Sequence, residues 1–251
     1  MNTKTARQPK YGLFKVWDKG VRLFHWLNVI CILGLMAVGL FILNSKSFGV
    51  SGEGKILLKT IHVYIGYVFV VNLIGRMIWG FIGNKYARWN RVSPFYKGFF
   101  GELKSYLAAI RQQPTSPYVG HNPLAKLMIS VLFTLMIVQG STGLILAGTD
   151  LYFPPFGHKI AEYVGKSDNE SSNIVKLTPG SKEGVDAKAY AQMRAYRKPI
   201  INLHVLTFYL LLFFIGLHLV GVVFTEIKEK NGLVSAMITG KKYIKDKPID
   251  P

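Results

Sequence analysis

The sequence predicts an all-α integral membrane protein, a four-helix bundle in which each helix crosses the bilayer. Three observations carry that prediction. Half of the 251 residues are hydrophobic, and mean hydropathy is +0.26. No Lys, Arg, Asp or Glu falls between Arg22 and Lys46, between Lys126 and Asp150, or between Lys198 and Glu226. Each of these gaps meets the roughly 20 residues needed to cross about 30 Å of hydrocarbon. Finally, His25, His62, His204 and His218 all lie in apolar stretches, where an ionisable group is costly and is usually functional.

The elements follow in order. Residues 1–20 read as a basic tail and residues 21–44 as the first span. A Gly/Ser-rich turn at 44–54 returns the chain to a second span at 56–82. That span contains Lys59 and Arg76 toward its ends, where long basic side chains can snorkel to the interface. The basic, aromatic loop 83–126 is interrupted by Pro94, Pro114 and Pro117 and is expected to lay a short amphipathic helix at 99–110 on the membrane surface. Asn122-Pro123 places a capping residue before a proline at the first helical position, opening a third span at 123–147. Residues 148–199 form a long extracytoplasmic loop, with a turn at Tyr152-Phe153-Pro154-Pro155 and a helix at 186–197. The fourth span covers 199–225, followed by a polar tail. With no internal repeat or low-complexity tract, residues 1–251 read as a single membrane domain.

The net charge of +18 does not indicate nucleic acid, because it is scattered through loops and tails that flank apolar spans. Residues 1–22, 83–126 and 225–251 hold 19 Lys and Arg, against 11 in 45–59 and 148–199. The positive-inside rule therefore puts both termini in the cytoplasm of a bacterial inner membrane, and anionic lipid accounts for the basic charge. Trp17, Trp26, Trp79 and Trp89 all fall near that same face. Cys31 is alone, and no C-x-x-C-H motif is present, so a haem would be held non-covalently. The first span is too long for a signal-peptide core.

His204 and His218 are 14 residues apart, which advances a helix about 21 Å and returns to within about 40° of the same face. Topology puts His62 at the depth of His204, toward the outer side, and His25 at the depth of His218, toward the inner side. Two level pairs of neutral imidazoles are what two stacked b-type haems between helices require. No Asp or Glu lies within a span to complete a bare metal-ion site. Arg76, 14 residues after His62, shares its helix face one haem-depth further in and could pair with a haem propionate. Arg22, Arg197 and Lys198 are similar candidates. Recurrent glycines in the spans would let helix backbones approach a flat macrocycle. His121 and His158 read as solvated or capping loop residues, and Gln139, Ser141 and Thr142 as interhelical hydrogen bonders.

Several motifs resemble those of the bacterial di-haem cytochrome b subunits of nickel–iron hydrogenases and the related formate dehydrogenase, thiosulfate reductase and cytochrome b561 proteins. These are Val16-Trp17-Asp18 with Arg22-Leu23-Phe24-His25-Trp26, His62 with Arg76-Met77-Ile78-Trp79-Gly80-Phe81, Gly120-His121-Asn122-Pro123-Leu124, and the His204/His218 spacing. The resemblance spans nearly the whole chain. It implies four haem-ligating histidines, paired as the topology pairs them, and a quinone site on the cytoplasmic side near the inner haem. Asn122 is similar to an asparagine that helps hold the quinone in the formate dehydrogenase branch, with Lys126 and His218 nearby, although the residues between Asn122 and Lys126 differ.

The expectation is therefore a membrane cytochrome b with two non-covalent haem b groups. It would move electrons between an extracytoplasmic iron–sulfur or cytochrome c partner, hydrogenase-like or another oxidoreductase, and the quinone pool. It would be an electron-transfer subunit rather than a complete enzyme. A self-contained quinone oxidoreductase has less use for a 148–199 loop of this size. A haem-free, histidine-lined transporter fits poorly with the absence of intramembrane carboxylates and of repeat symmetry.

Overall fold

The computed structural model describes residues 11–111, 118–165, 177–181, 183–245 and 248–250. Strand β1 (Tyr11–Lys15) is followed by helices α1 (Lys19–Leu43), α2 (Gly52–Ile82), α3 (Trp89–Val92), α4 (Phe99–Arg111), α5 (Pro123–Leu151), α6 (Gly157–Val164), α7 (Ala187–Glu229) and α8 (Leu233–Thr239), then strand β2 (Lys241–Lys245). Helices α1, α2, α5 and α7 are long and apolar enough to cross a membrane, so the protein is all-α and multi-pass. Only 6% to 22% of their most apolar stretches is buried. Side chains such as Leu23, Val71 and Phe81 are mostly exposed, which in water would cost about 25 cal/mol per Å². Lipid removes that cost, while the helices satisfy their own backbone groups.

Each long helix starts on a polar side chain that accepts an orphan N–H of its first turn. Asp18 Oδ1 accepts from Val21 N–H at 2.8 Å, Ser51 Oγ from Gly54 N–H at 3.0 Å, Asn122 Oδ1 from Ala125 N–H at 2.8 Å, and Asp186 Oδ1 from Ala189 N–H at 2.7 Å. Two expected boundaries shift. The helix expected at 186–197 and the span expected from 199 are one 43-residue helix that runs through Pro199. Helix α5 continues past 147 to Leu151. Among its described residues, segment 148–199 is thus largely helix: the end of α5, all of α6 and the start of α7. The amphipathic helix expected at 99–110 is α4.

The chain divides into two compact units, to which α1, α2, α5 and α7 all contribute. In the first unit (1–26, 74–133, 212–251), described residues of the segments read from the sequence as tails form secondary structure. Strand β1 pairs antiparallel with β2, from Tyr11 opposite Lys245 to Lys15 opposite Lys241. A small core of Val16, Trp17, Val119, Ala236 and Ile244 lies beneath. The pairing puts both ends of the described chain together, as an even number of spans requires. Asp18 also ties α1 to the end of α2, accepting hydrogen bonds from Trp79 Nε1 at 3.0 Å and Asn84 N–H at 3.2 Å.

In the second unit (27–73, 134–211), α2 packs on α1 and α5. A Cβ at Gly34 would meet Ile65, and one at Gly140 would meet Val70. Val164, Val185 and Met193 form a second small core beneath α6. Lys59 and Arg197 both pair with the largely buried carboxylate of Asp150.

Candidate cofactor site

Each unit holds one of the expected histidine pairs. In the second unit, His62 on α2 and His204 on α7 have ring centroids 6.4 Å apart with planes 74° from parallel. Two imidazoles sharing a metal atom need about 6 Å, since each metal–nitrogen bond is about 2.0 Å and a ring radius lies on either side. A glycine packs against each ring, and a side chain at Gly39 would crowd His62. A Cβ at Gly39 would stand 3.3 Å from His62 Cε1, and one at Gly143 3.5 Å from His204 Cε1.

The tautomer of His204 follows from its partners. Thr142 Oγ1 lies 2.8 Å from His204 Nδ1 and donates its single hydrogen to the Val138 carbonyl at 2.8 Å. With its hydrogen on that carbonyl the hydroxyl accepts from the ring, the arrangement in which Nδ1 carries the proton and Nε2 keeps its lone pair. Gln139 Nε2 sits 3.1 Å from His204 Nε2, placing an electron-pair acceptor where a metal ligand bond would form. His62 Nδ1 is buried with no hydrogen-bond partner. A buried polar atom left unsatisfied is unusual in a finished structure.

In the first unit, His25 on α1 and His218 on α7 are close enough to interact electrostatically, and His25 packs edge-on against Trp26 at 5.3 Å. His25 Nδ1 is also buried without a partner. Arg76 belongs to this unit and is 5% exposed. Its guanidinium lies 5.1 Å over the Trp89 ring, 5.6 Å from Phe133 and 5.8 Å from Phe24, the neighbour of His25. One nitrogen, Nη2, donates to the Ala87 carbonyl at 3.1 Å, while Nη1 is buried and unpaired. A cation buried this way needs an anion or further acceptors, and a carboxylate arriving from outside the chain would supply them. The opposed His62 and His204 rings with glycines packed against them, and the partnerless Nδ1 atoms of His62 and His25, fit bis-histidine haem sites. Among the described residues, no three His, Cys, Asp or Glu side chains converge as a bare metal-ion site would need.

The lesser candidates have other partners. Arg22 donates from Nη1 to the Ile238 carbonyl, closing the last turn of α8 beside a bond from Trp26 Nε1 to Met237 O at 2.9 Å. Arg197 is held by Asp150. His158 pairs with Glu162 on an exposed turn.

Asn122 and Lys126 lie in the first unit. Beyond capping α5, Asn122 donates from Nδ2 to Tyr106 Oη at 2.6 Å. Lys126 Nζ donates to Tyr96 Oη at 3.2 Å and stands 4.9 Å over that ring. Lys126 borders a cavity of about 280 Å³, whose walls include Tyr96, Glu102, Tyr118, His121 and Asp250. Tyr96 and Tyr118 donate their hydroxyls to the two oxygens of Glu102, the second at 3.3 Å. Burial first, and then Glu102, push both phenols above their usual pKa.

His121 is not the solvated loop residue expected. It packs on Trp17 with ring centroids 4.5 Å apart. Burial, followed by the charge of Lys242, pushes its pKa down to about 3. Lys242, 2% exposed, donates to the Gly120 carbonyl at 3.0 Å, and burial lowers its pKa to about 8 against the opposing pull of Glu229 and Asp250. Sequence reasoning missed Glu102, Tyr96, Tyr118 and Lys242. The buried–exposed alternation of 241–245, with Lys242 at an inward position, is visible only in the fold, because a lysine does not mark a buried strand position.

A profile of the family described as prokaryotic cytochrome b561 matches residues 16–240. A probable Ni/Fe-hydrogenase B-type cytochrome subunit of Rhizobium leguminosarum bv. viciae is 28% identical over 242 residues, covering 92% of this chain and 90% of that protein. One from Rhodobacter capsulatus is 27% identical over 248 residues, covering 94% and 83%. A probable Ni/Fe-hydrogenase 1 B-type cytochrome subunit of Escherichia coli (strain K12) is 33% identical over 141 residues, covering 52% and 59%. No solved structure matches.

Proposed function

Because the chain belongs to the prokaryotic cytochrome b561 family, and so is a membrane b-type cytochrome of electron transfer, we propose that it holds two haem b groups and carries electrons between an extracytoplasmic nickel–iron hydrogenase and membrane quinone. The observation that carries this reading is the opposed His62/His204 pair, 6.4 Å between ring centroids, with His25 and His218 in the other unit. Haem b bound at such a pair supplies one-electron transfer at a potential set by its ligands and surroundings.

The chain's own residues do the rest. Thr142 holds His204 in the tautomer that leaves Nε2 free to ligate. Arg76 neutralises a propionate of the haem at His25 and His218. Segment 148–199 offers a docking surface to the partner, and the similarity to B-type cytochrome subunits of Ni/Fe-hydrogenases supports a hydrogenase in that role. Quinone occupies the cavity beside Lys126, with that ammonium donating to a quinone oxygen. Asn122 holds the turn leading to Lys126 and uses at least two of the four hydrogen bonds its amide can make. The antiparallel pairing of β1 with β2 supports placing the two ends of the chain on one side of the membrane, and the distribution of Lys and Arg favours the cytoplasmic side of a bacterial inner membrane.

The test is a reduced-minus-oxidised spectrum and a haem count per polypeptide on the purified chain and on His204→Ala. The reading expects two low-spin b haems in the parent protein and one in the variant. A folded, haem-supplied parent that binds none, or a variant that keeps both, defeats it.

A further inference from the structure

Quinone reduction adds two electrons and two protons, one proton to each carbonyl oxygen. The electron-transfer activity supplies the electrons, and the protons must be delivered to the quinone oxygens by groups that line the cavity or by water at its mouth. Of the groups around that cavity, most are unsuited to exchanging a proton. Asp250 spends both carboxylate oxygens on backbone N–H groups, those of Val119 at 2.6 Å and Gly120 at 2.9 Å. His121, with its pKa near 3, stays neutral at physiological pH. Arg91, also on the cavity wall, keeps its charge throughout. Lys126 binds Tyr96 from the other side.

Glu102 is different. It sits half-buried on the surface helix α4, and each of its oxygens accepts a hydroxyl from a tyrosine that lines the cavity.

We propose that Glu102 is the proton reservoir of the quinone cavity, exchanging protons with the quinone oxygens through the hydroxyls of Tyr96 and Tyr118. The proposal rests on the reading that quinone binds in this cavity. For reduction, Glu102 takes a proton from solvent and passes it to a tyrosine oxygen as that tyrosine's own hydrogen moves to the reduced quinone oxygen. The O–H bond of Glu102 breaks, a quinone O–H bond forms, and the tyrosine is neutral before and after. The hydroxyl then again donates to the Glu102 carboxylate, which is the arrangement observed. A second cycle supplies the second proton. The steps reverse for quinol oxidation. The raised pKa of both tyrosines suits groups that relay protons without ionising. Glu102 acts through the tyrosines and positions their hydrogens.

The experiment uses the haem-loaded full chain in nanodiscs, chemically reduced and mixed with decylubiquinone. Haem oxidation is followed by stopped flow from pH 5.5 to 9, in H₂O and D₂O. Glu102→Gln is expected to keep its haem spectrum and bind decylubiquinone within about twofold of the parent. It should lose between about tenfold and a hundredfold in rate, within reach of the usual effect of a proton-transfer group, with a flattened pH profile. Glu102→Asp should recover much of the rate, and Tyr96→Phe should lower it without loss of haem if Glu102→Gln fails to fold. Parent-like rate, pH profile and isotope effect in both Glu102→Gln and Tyr96→Phe would overturn the relay alone. Photolabelling of the parent with an azidoquinone separates the two readings. Labelled peptides within 86–126 or at Ile249 and Asp250 support the cavity, whereas labelling elsewhere overturns the cavity assignment and the relay together.

Discussion

Replacing Thr142 by Val removes one oxygen and keeps the shape of the side chain. The hydroxyl accepts from His204 Nδ1 at 2.8 Å and is 5% exposed with its residue, so no water replaces it. The variant leaves a buried imidazole N–H unpaired, at a cost of about 1–3 kcal/mol. It also frees the ring to rotate or adopt the other tautomer. Loss of such a support to a metal-binding histidine typically weakens metal affinity about 10- to 100-fold, or about 1.4–2.8 kcal/mol at 1.4 kcal/mol per tenfold, so the two routes agree. The assay is haem transfer from the purified protein to excess apomyoglobin, read by absorbance. One of two kinetic phases should accelerate by that factor in Thr142→Val and stay near its original rate in Thr142→Ser. The other phase should not change, because His25 and His218 belong to the other unit. If Thr142→Val releases both haems at the parent rates, the hydroxyl does not set the ligand.

Two further expectations follow from buried charge. Arg76→Leu removes a cation from the surroundings of one haem. A unit charge about 10 Å away at an effective dielectric near 20 amounts to about 1.7 kcal/mol, or roughly 70 mV for one electron. One of the two midpoint potentials should therefore fall by about that much in a redox titration, and unchanged potentials would remove Arg76 from the haem site. His121 gives a pH dependence. Its folded pKa near 3 lies below the ordinary 6.5, so between these values the unfolded chain binds the proton and the folded chain does not. Stability is complete above about pH 6.5 and falls as pH drops toward 3. Between pH 7 and 5 the loss is about 2 kcal/mol. Thermal unfolding in detergent should show it in the parent and not in His121→Gln, and an equal loss in both would refute the assignment.

The four spans were legible because the bilayer imposes a local rule: about 20 residues without charge, whatever packs beside them. The histidine depths were legible for the same reason, since helix rise and alternating direction convert residue number into depth. The cap at Asn122-Pro123 was readable, but those of Asp18, Ser51 and Asp186 were not drawn out, because Ser and Asp are also common in loops. The fourth span was expected from 199, but the helix runs on both sides of Pro199. Inside a long helix in a membrane it is tolerated, because neighbouring groups re-satisfy the backbone.

Other features exist only in three dimensions. The β1–β2 pairing joins residues more than 200 positions apart, and five-residue strands carry too little pattern to identify each other across that separation. The inward position of Lys242 disguised the second strand further. Arg76 could be placed at a depth, but its box of Phe24, Trp89 and Phe133 draws on three separate segments. Nothing local connects Glu102 with Tyr96, Tyr118 and the turn before α5. The sequence by itself determined that the chain has four membrane-spanning helices and placed one of the four intramembrane histidines on the first, one on the second and two on the last, because both follow from helix geometry and the cost of charge in lipid. Only the tertiary structure decided which hydroxyl meets His204, which nitrogen of Arg76 is left unpaired and which carboxylates border the cavity, because those depend on contacts between segments distant in the chain.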